Sequence, residues 1–186
     1  MRKLLFIIIF CVNAICRAQD TENNSLMKTQ CGIIPMPRMT WIFDSDSTTY
    51  FTLDNSCVLV DNENEEISKI INTFKNDIKE ITGVDLKVSK KGNKKRNNIV
   101  FSIYDPEKIE QIQNGPKNII GLDSREINPQ EYHIIVICNH ILVSAPTPQG
   151  LFYGAQSLKQ LIRHQLLTEN NLNIPCYNIF DYPSLE

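Results

Sequence analysis

The stretch Ser144-Ala145-Pro146-Thr147-Pro148-Gln149-Gly150-Leu151-Phe152-Tyr153-Gly154-Ala155-Gln156-Ser157-Leu158-Lys159-Gln160-Leu161 decides the fold. It follows the apolar run Ile141 to Ala145, which reads as a strand. Thr147 then serves as a helix N-cap, because its hydroxyl can accept from a free N–H of the first turn. Pro148 suits the first helical position, where its missing N–H costs nothing. Leu151, Ala155, Leu158 and Ile162 share one face with Leu161 beside them, so a strand turns sharply into an amphipathic helix. Gly150 and Gly154 stand one turn apart and let the backbone approach a neighbour closely. Each mid-helix glycine costs about 1 kcal/mol against alanine, so packing must compensate. That neighbour is either the domain's own sheet or a second domain.

Upstream, Tyr132 to Cys138 and Ile141 to Ala145 form two apolar runs joined by Asn139-His140, a tight hairpin. Further back, Ile67, Ile70, Ile71, Phe74, Ile78 and Ile81 fall on one helical stripe. Asp61 or Asn62 can cap that helix, Glu63, Glu65 and Glu66 suit its first turn, and Gly83 can end it. Val84 to Val88 alternates at period two, and Ile99 to Ile103 makes another strand. Trp41 to Phe43, Thr49 to Leu53 and Cys57 to Val60 read as short strands between Asp/Ser/Asn turns. Ile33 to Pro37 is extended, because proline disfavours helix at the preceding residue. Residues 105–130 read mostly as irregular connection, and Ile174 to Tyr182 as extended chain. The sum is an α+β fold: a mixed β-sheet with two main helices packed on one face.

Composition narrows the function. The chain has 186 residues, 42% hydrophobic and 22% charged, which excludes disorder and collagen-like structure. It is too short for a (β/α)₈ barrel, which takes about 250 residues. A formal net charge of −2 offers no basic field for nucleic acid. Lys87, Lys90, Lys91, Lys94, Lys95 and Arg96 are clustered, but no aromatic residues interleave them for base stacking, so they read as a solvated loop.

Arg2 and Lys3, the apolar run Leu4 to Val12 and the small residues Cys16 and Ala18 form a secretory leader over residues 1–18. The run is shorter than the roughly 20 residues a membrane span needs. Cleavage before Gln19 places the chain outside the cytoplasm, secreted or in a periplasm or cell envelope, with no membrane span. Residues 19–30 then form a flexible lead-in. Cys31, Cys57, Cys138 and Cys176 remain, with pairings that their spacing does not rank.

The motif search returns no catalytic set. There is no HExxH pair for zinc, no GxSxG elbow, and neither nucleotide fingerprint. His133 and His140 flank a strand and turn, and His164 complements a helix end. No cofactor, metal ligand or catalytic residue is assigned.

The Ser144–Leu161 stretch resembles the strand-to-helix motif A-x-T-x-x-G-x-F-Y-G-x-Q-[ST]-L-x-Q-L in the N-terminal accessory domain of glycoside hydrolase family 20 β-N-acetylhexosaminidases. The motif positions are Thr147, Pro148, Gly150, Phe152, Tyr153, Gly154 and Gln156. Ile34-Pro35-Met36-Pro37 is similar to that domain's opening, Glu131-Tyr132-His133-Ile134 to one of its strands, and Ile174-Pro175 with Asp181-Tyr182-Pro183 to its close. The resemblance covers residues 31–183. It implies a non-catalytic domain supporting a (β/α)₈ catalytic barrel, in an enzyme hydrolysing terminal N-acetylhexosamine residues. The family's catalytic Asp-Glu pair has no counterpart here, and residues 184–186 read as the start of a link to a barrel this chain lacks. A stand-alone carbohydrate-binding module, with glycans as partners, is the alternative. A domain shaped to sit on a barrel should expose apolar surface. The candidates are Ile179, Phe180, Tyr182 and Leu185 at a loosely held C-terminus, with Phe152 and Tyr153 on the helix. Of these, Phe180 or Tyr182 is expected to be substantially exposed.

Overall fold

Along the central strands burial alternates: Ile99, Phe101, Ile141 and Val143 are fully buried, while Val100 and Leu142 between them are only half-buried, so one sheet face carries the core. The computed structural model describes residues 31–42, 50–60, 64–89, 97–104 and 127–182. The leader, the lead-in, residues 184–186 and the lysine-rich run beyond Lys87 lie outside them. The elements are β1 (Met39–Ile42), β2 (Tyr50–Thr52), β3 (Cys57–Val60), α1 (Glu65–Thr82), β4 (Lys87–Ser89), β5 (Asn98–Ile103), β6 (Tyr132–Ile137), β7 (His140–Ala145), α2 (Pro148–Glu169), β8 (Asn173–Pro175) and β9 (Tyr177–Asp181). A seven-stranded sheet runs β1-β9-β6-β7-β5-β3-β4, and β2 pairs β8 separately. One half, from β1 to β7, is antiparallel, and β7, β5, β3 and β4 are mutually parallel. The sheet is therefore mixed.

Both helices lie against the sheet and against each other. Phe74 of α1 meets Phe101 of β5 edge-on at 5.2 Å, and Leu151, Leu158 and Ile162 of α2 are fully buried. Lys159 of α2 and Asp77 of α1 pair at 2.7 Å where each side chain is only about a quarter exposed, at 25% and 28%. Such shielded pairs couple elements better than exposed ones. The α1 stripe is buried from Ile67 to Ile78, and Gly83 caps its end with φ 77°.

Several boundaries differ from the sequence reading. The α1 cap is Asn64, whose side chain accepts from the Ile67 N–H at 2.8 Å, and not Asp61 or Asn62. The hairpin turn is Cys138-Asn139, one residue earlier than Asn139-His140, because Ile137 pairs with His140. Cys138 is thereby exposed at the turn, while Cys31, Cys57 and Cys176 are buried, and none of the four is in a disulfide. Only Lys87 to Ser89 pair as a strand in the alternating segment after Gly83. The C-terminal strand β9 is inserted between β1 and β6, so it is tied on both sides.

Glu131 is fully buried and its carboxyl group accepts two hydrogen bonds. Oε1 accepts from the Tyr104 hydroxyl at 2.5 Å and Oε2 from the Asn128 N–H at 3.0 Å. One side chain thus holds the end of β5 against the lead into β6. Glu131→Ala removes the acceptor for both donors and should cost on the order of 3 kcal/mol in urea unfolding. Glu131→Gln, which keeps one acceptor, should cost less. Equal, near-zero losses in both variants would show that this junction carries no stability.

Candidate functional site at the strand-to-helix elbow

The elbow is built from Thr147 outward. This residue is extended, with φ −136° and ψ 160°, and its hydroxyl accepts from the Gly150 N–H at 3.1 Å. The same hydroxyl donates to the Pro129 carbonyl, and the Thr147 carbonyl accepts from the Leu151 N–H at 3.0 Å. Pro148 occupies the first helical turn, as its fixed φ favours. Thr147 therefore ends β7, opens α2 and ties both to the turn before β6.

The glycines explain why the helix can lie so close. A methyl group at Gly150 would collide with the Glu131 carbonyl oxygen and meet Ala145 Cβ at 3.1 Å. At Gly154 it would meet Val143 Cγ1 at 2.7 Å and Tyr132 Cβ at 3.2 Å. Both glycines face β6, β7 and the turn before them, so the neighbour they admit is the domain's own sheet. Phe152 points away and is 40% exposed, edge-on to the half-buried Tyr153 at 5.8 Å. The Tyr153 hydroxyl accepts from Gln149 Nε2 at 3.4 Å, and Gln156 is half-buried one turn after Phe152.

One turn beyond Gly154 lies a polar cluster. Ser157 Oγ and Tyr132 Oη are 2.6 Å apart, and the Tyr132 hydroxyl donates to Asp181 Oδ2 at 3.1 Å. Asp181 Oδ1 accepts from the Arg38 N–H at 3.3 Å, and Arg38 Nε donates to the Tyr182 carbonyl at 3.4 Å. The Arg38 guanidinium sits 4.0 Å over the Tyr182 ring. Burial pushes the Tyr132 phenol far above its ordinary range, with Ser157 opposing. Burial also raises the Asp181 carboxyl, against hydrogen bonds from Arg38, Tyr132 and Tyr182. A phenol so raised stays protonated near neutrality and acts as a donor. The cluster is a latch joining α2, β6, β9 and the approach to β1.

The latch overturns one expectation. Ile179 and Phe180 are buried and Tyr182 is half-buried, so neither Phe180 nor Tyr182 is broadly exposed. Phe180 faces His133 edge-on at 4.6 Å, which shelters it. Leu185 lies outside the described residues. Tyr132, Ser157 and Asp181 all fall within motifs legible in the sequence, but their meeting is set by strand order, which no local pattern displays.

A second polar row starts the parallel strands, where Cys57, Asn98 and His140 share one rung. Cys57 Sγ donates to Asn98 Oδ1 at 3.2 Å, and Asn98 Nδ2 faces His140 Nε2 at 3.4 Å. His140 Nδ1 lies 2.8 Å from Asn139 Oδ1, consistent with a neutral ring protonated on Nδ1. Burial lowers the His140 pKa. The His164 side chain lies against Gly32, where an added methyl group would collide with it. Among the described residues, no group of three or more His, Cys, Asp or Glu side chains is placed to hold a metal ion. Nor is any described helix long and apolar enough to cross a membrane.

Elbow and latch together define a mixed-sheet α+β domain organised around one strand-to-helix junction. The chain belongs to the family described as glycosyl hydrolase family 20, domain 2, whose model matches residues 30–182. No curated protein sequence matches the chain. Among solved structures, the family 20 β-N-acetylhexosaminidase from Streptomyces coelicolor A3(2) is similar with a TM-score of 0.59 at 17% identity, over 83% of this chain and 27% of that one. The family 20 exo-β-N-acetylglucosaminidase from Vibrio harveyi, in complex with N-acetylglucosamine, gives 0.56 at 18% identity, over 83% and 20%. The chitobiase from Flavobacterium johnsoniae gives 0.55 at 19% identity, over 82% and 21%. At these identities the likeness is one of fold. The chain spans about a fifth to a quarter of those structures.

Two outcomes follow from the geometry. In an open helix, Gly→Ala would stabilise by up to about 1 kcal/mol. Here Gly150→Ala and Gly154→Ala should instead destabilise by about 1–3 kcal/mol through overpacking, measured by urea unfolding. A gain in stability at either site would show that its neighbour yields. For His140 the folded pKa lies below the unfolded value of about 6.5. Its contribution is therefore complete above that unfolded value and lost as pH falls toward the folded one. His140→Gln should flatten the fall in stability below the unfolded value. An unchanged pH slope would remove His140 as its source.

Proposed function

We propose that this chain acts as the non-catalytic accessory domain of a secreted enzyme that hydrolyses terminal non-reducing N-acetylhexosamine residues. Its role there is to support a (β/α)₈ catalytic domain. The observation that carries this reading is the match to domain 2 of glycosyl hydrolase family 20 across residues 30–182. The site chemistry agrees with it. Two buried groups hold elements of the fold together: Glu131 bonds Tyr104 and Asn128, between the end of β5 and the turn before β6, and Tyr132 bonds Ser157 of α2 and Asp181 of β9. Groups committed to such contacts stabilise a scaffold and are poorly placed to meet a sugar.

The leader at residues 1–18 supports export, and Gln19 is the expected first residue of the mature chain. Purified Gln19–Glu186 should release no nitrophenol above blank from p-nitrophenyl N-acetyl-β-glucosaminide. Clear turnover would overturn the accessory reading. Tagged protein recovered from cells should lie outside the cytoplasm and begin at Gln19, and intact cytoplasmic chain starting at Met1 would overturn the proposed location.

A further inference from the structure

The seven-stranded sheet ends on β4 at one side and on β1 at the other, and the two end strands differ in kind. β4 is short and parallel to its neighbour, and Lys87, Lys90 and Lys91 recur along its sequence. A short strand rich in lysine guards a sheet edge against the addition of a further strand. β1 instead reads Met39-Thr40-Trp41-Ile42, with no charge, proline or glycine inside it. Among the described residues β1 pairs only with β9, in an antiparallel ladder. Its other side is a row of backbone N–H and C=O groups, the template that an added strand uses. Met39 and Ile42, at its two ends, are each 37% exposed.

The sequence on either side of β1 selects the strand that fits. Arg38 precedes it, and Asp44 and Asp46 follow it. Arg38 is exposed, and its bond to the Tyr182 carbonyl engages one of the five N–H donors of its guanidinium. A two-fold axis through an edge strand sets two copies antiparallel. That reversal brings the cationic end of each copy beside the acidic end of the other, twice per pair. A parallel partner would set like charge beside like. β1 with its flanks is therefore complementary to itself.

We infer that the β1 edge is an interaction surface for a second copy of this chain, the two β1 strands pairing antiparallel so that the two sheets continue as one. The contact is made by the sheet edge and leaves both helices untouched. It does not depend on the accessory-domain reading. Four residues a side fall well short of the roughly 20–30 of a standard interface, so the association is weak. Its flanking charge pairs make it sensitive to salt.

Sedimentation of purified Gln19–Glu186 at low salt tests it. The chain should be monomeric at about 1 μM and mostly dimeric at about 1 mM, as a weak interface requires. A chain still monomeric at the higher concentration overturns the proposal. Asp44→Lys combined with Asp46→Lys should weaken the dimer about tenfold with the thermal midpoint unchanged, and Arg38→Glu should weaken it similarly. An equal mixture of those two variants should regain the original dimer, because each copy then meets opposite charge. A dimer indifferent to the reversals, or a mixture that stays monomeric, overturns the antiparallel edge pairing. Arg38→Glu also removes the contact with Tyr182, so a second readout leaves Arg38 in place. A photo-crosslinking phenylalanine at Met39 or Ile42 should yield covalent dimer, and one at Val88 on the β4 edge should not. Dimer linked from Val88 alone, or from none of the three, overturns the assignment to β1.

Discussion

The Thr147 hydroxyl is the contact on which the other elements depend. It accepts from the Gly150 N–H and donates to the Pro129 carbonyl, so the start of α2 cannot move without moving the turn before β6. A helix N-terminus leaves several N–H groups without partners, and a side-chain cap answers one of them at modest energy. Here the same oxygen also fixes tertiary placement. Once the elbow sets the direction of α2, the absence of side chains at Gly150 and Gly154 lets the helix settle onto β6 and β7. That depth brings Ser157 within reach of the Tyr132 hydroxyl, and through it of Asp181. Elbow, close packing and latch form one sequence of dependence running along a single helix.

The legibility of the fold follows from how local each cause is. The Thr147-Pro148 start of α2 and the Gly83 end of α1 are visible because caps act within one turn of their own residue. The α1 stripe is visible because burial of Ile67 through Ile78 imposes a helical period. The α1 cap is Asn64, although Asp61 and Asn62 are chemically as able to serve, so residue type alone does not choose among them. The hairpin turn lies one residue earlier than its composition suggests for a related reason. The register set by Ile137 opposite His140 lies in the pairing and not in the turn's composition.

The C-terminal strand shows the harder limit. Ile179, Phe180 and Tyr182 look like surface waiting for a partner, since they close a sequence rich in apolar residues with nothing local to cover them. Covering comes from β1 and β6, which are distant in sequence and flank β9 on either side. Ile34, in the extended opening segment, is 80% exposed, with its backbone N–H held by Gln160 Oε1 and its side chain turned out. Of the candidates for exposed apolar surface, Phe152 on α2 is exposed while Ile179 and Phe180 are covered.

The titration directions and the backbone fit a scaffold better than a reactive site. Burial lowers His140 and raises Asp181 and Tyr132, and each shift favours the neutral form of the group. In the buried row and the latch each of these groups is hydrogen-bonded, which lowers the cost of burying it. Among the described residues, left-handed backbone occurs at Gly32, Asn55, Gly83 and Asn170, residue types that adopt it readily. Gly83 and Asn170 are the caps that end the two helices, and none of the four lies at the elbow. Strained backbone gathers where a site must hold a substrate in an unfavourable geometry. A domain that places its left-handed residues at helix ends and turns, and holds its elbow and latch through hydrogen bonds and close packing, has the build of a scaffold.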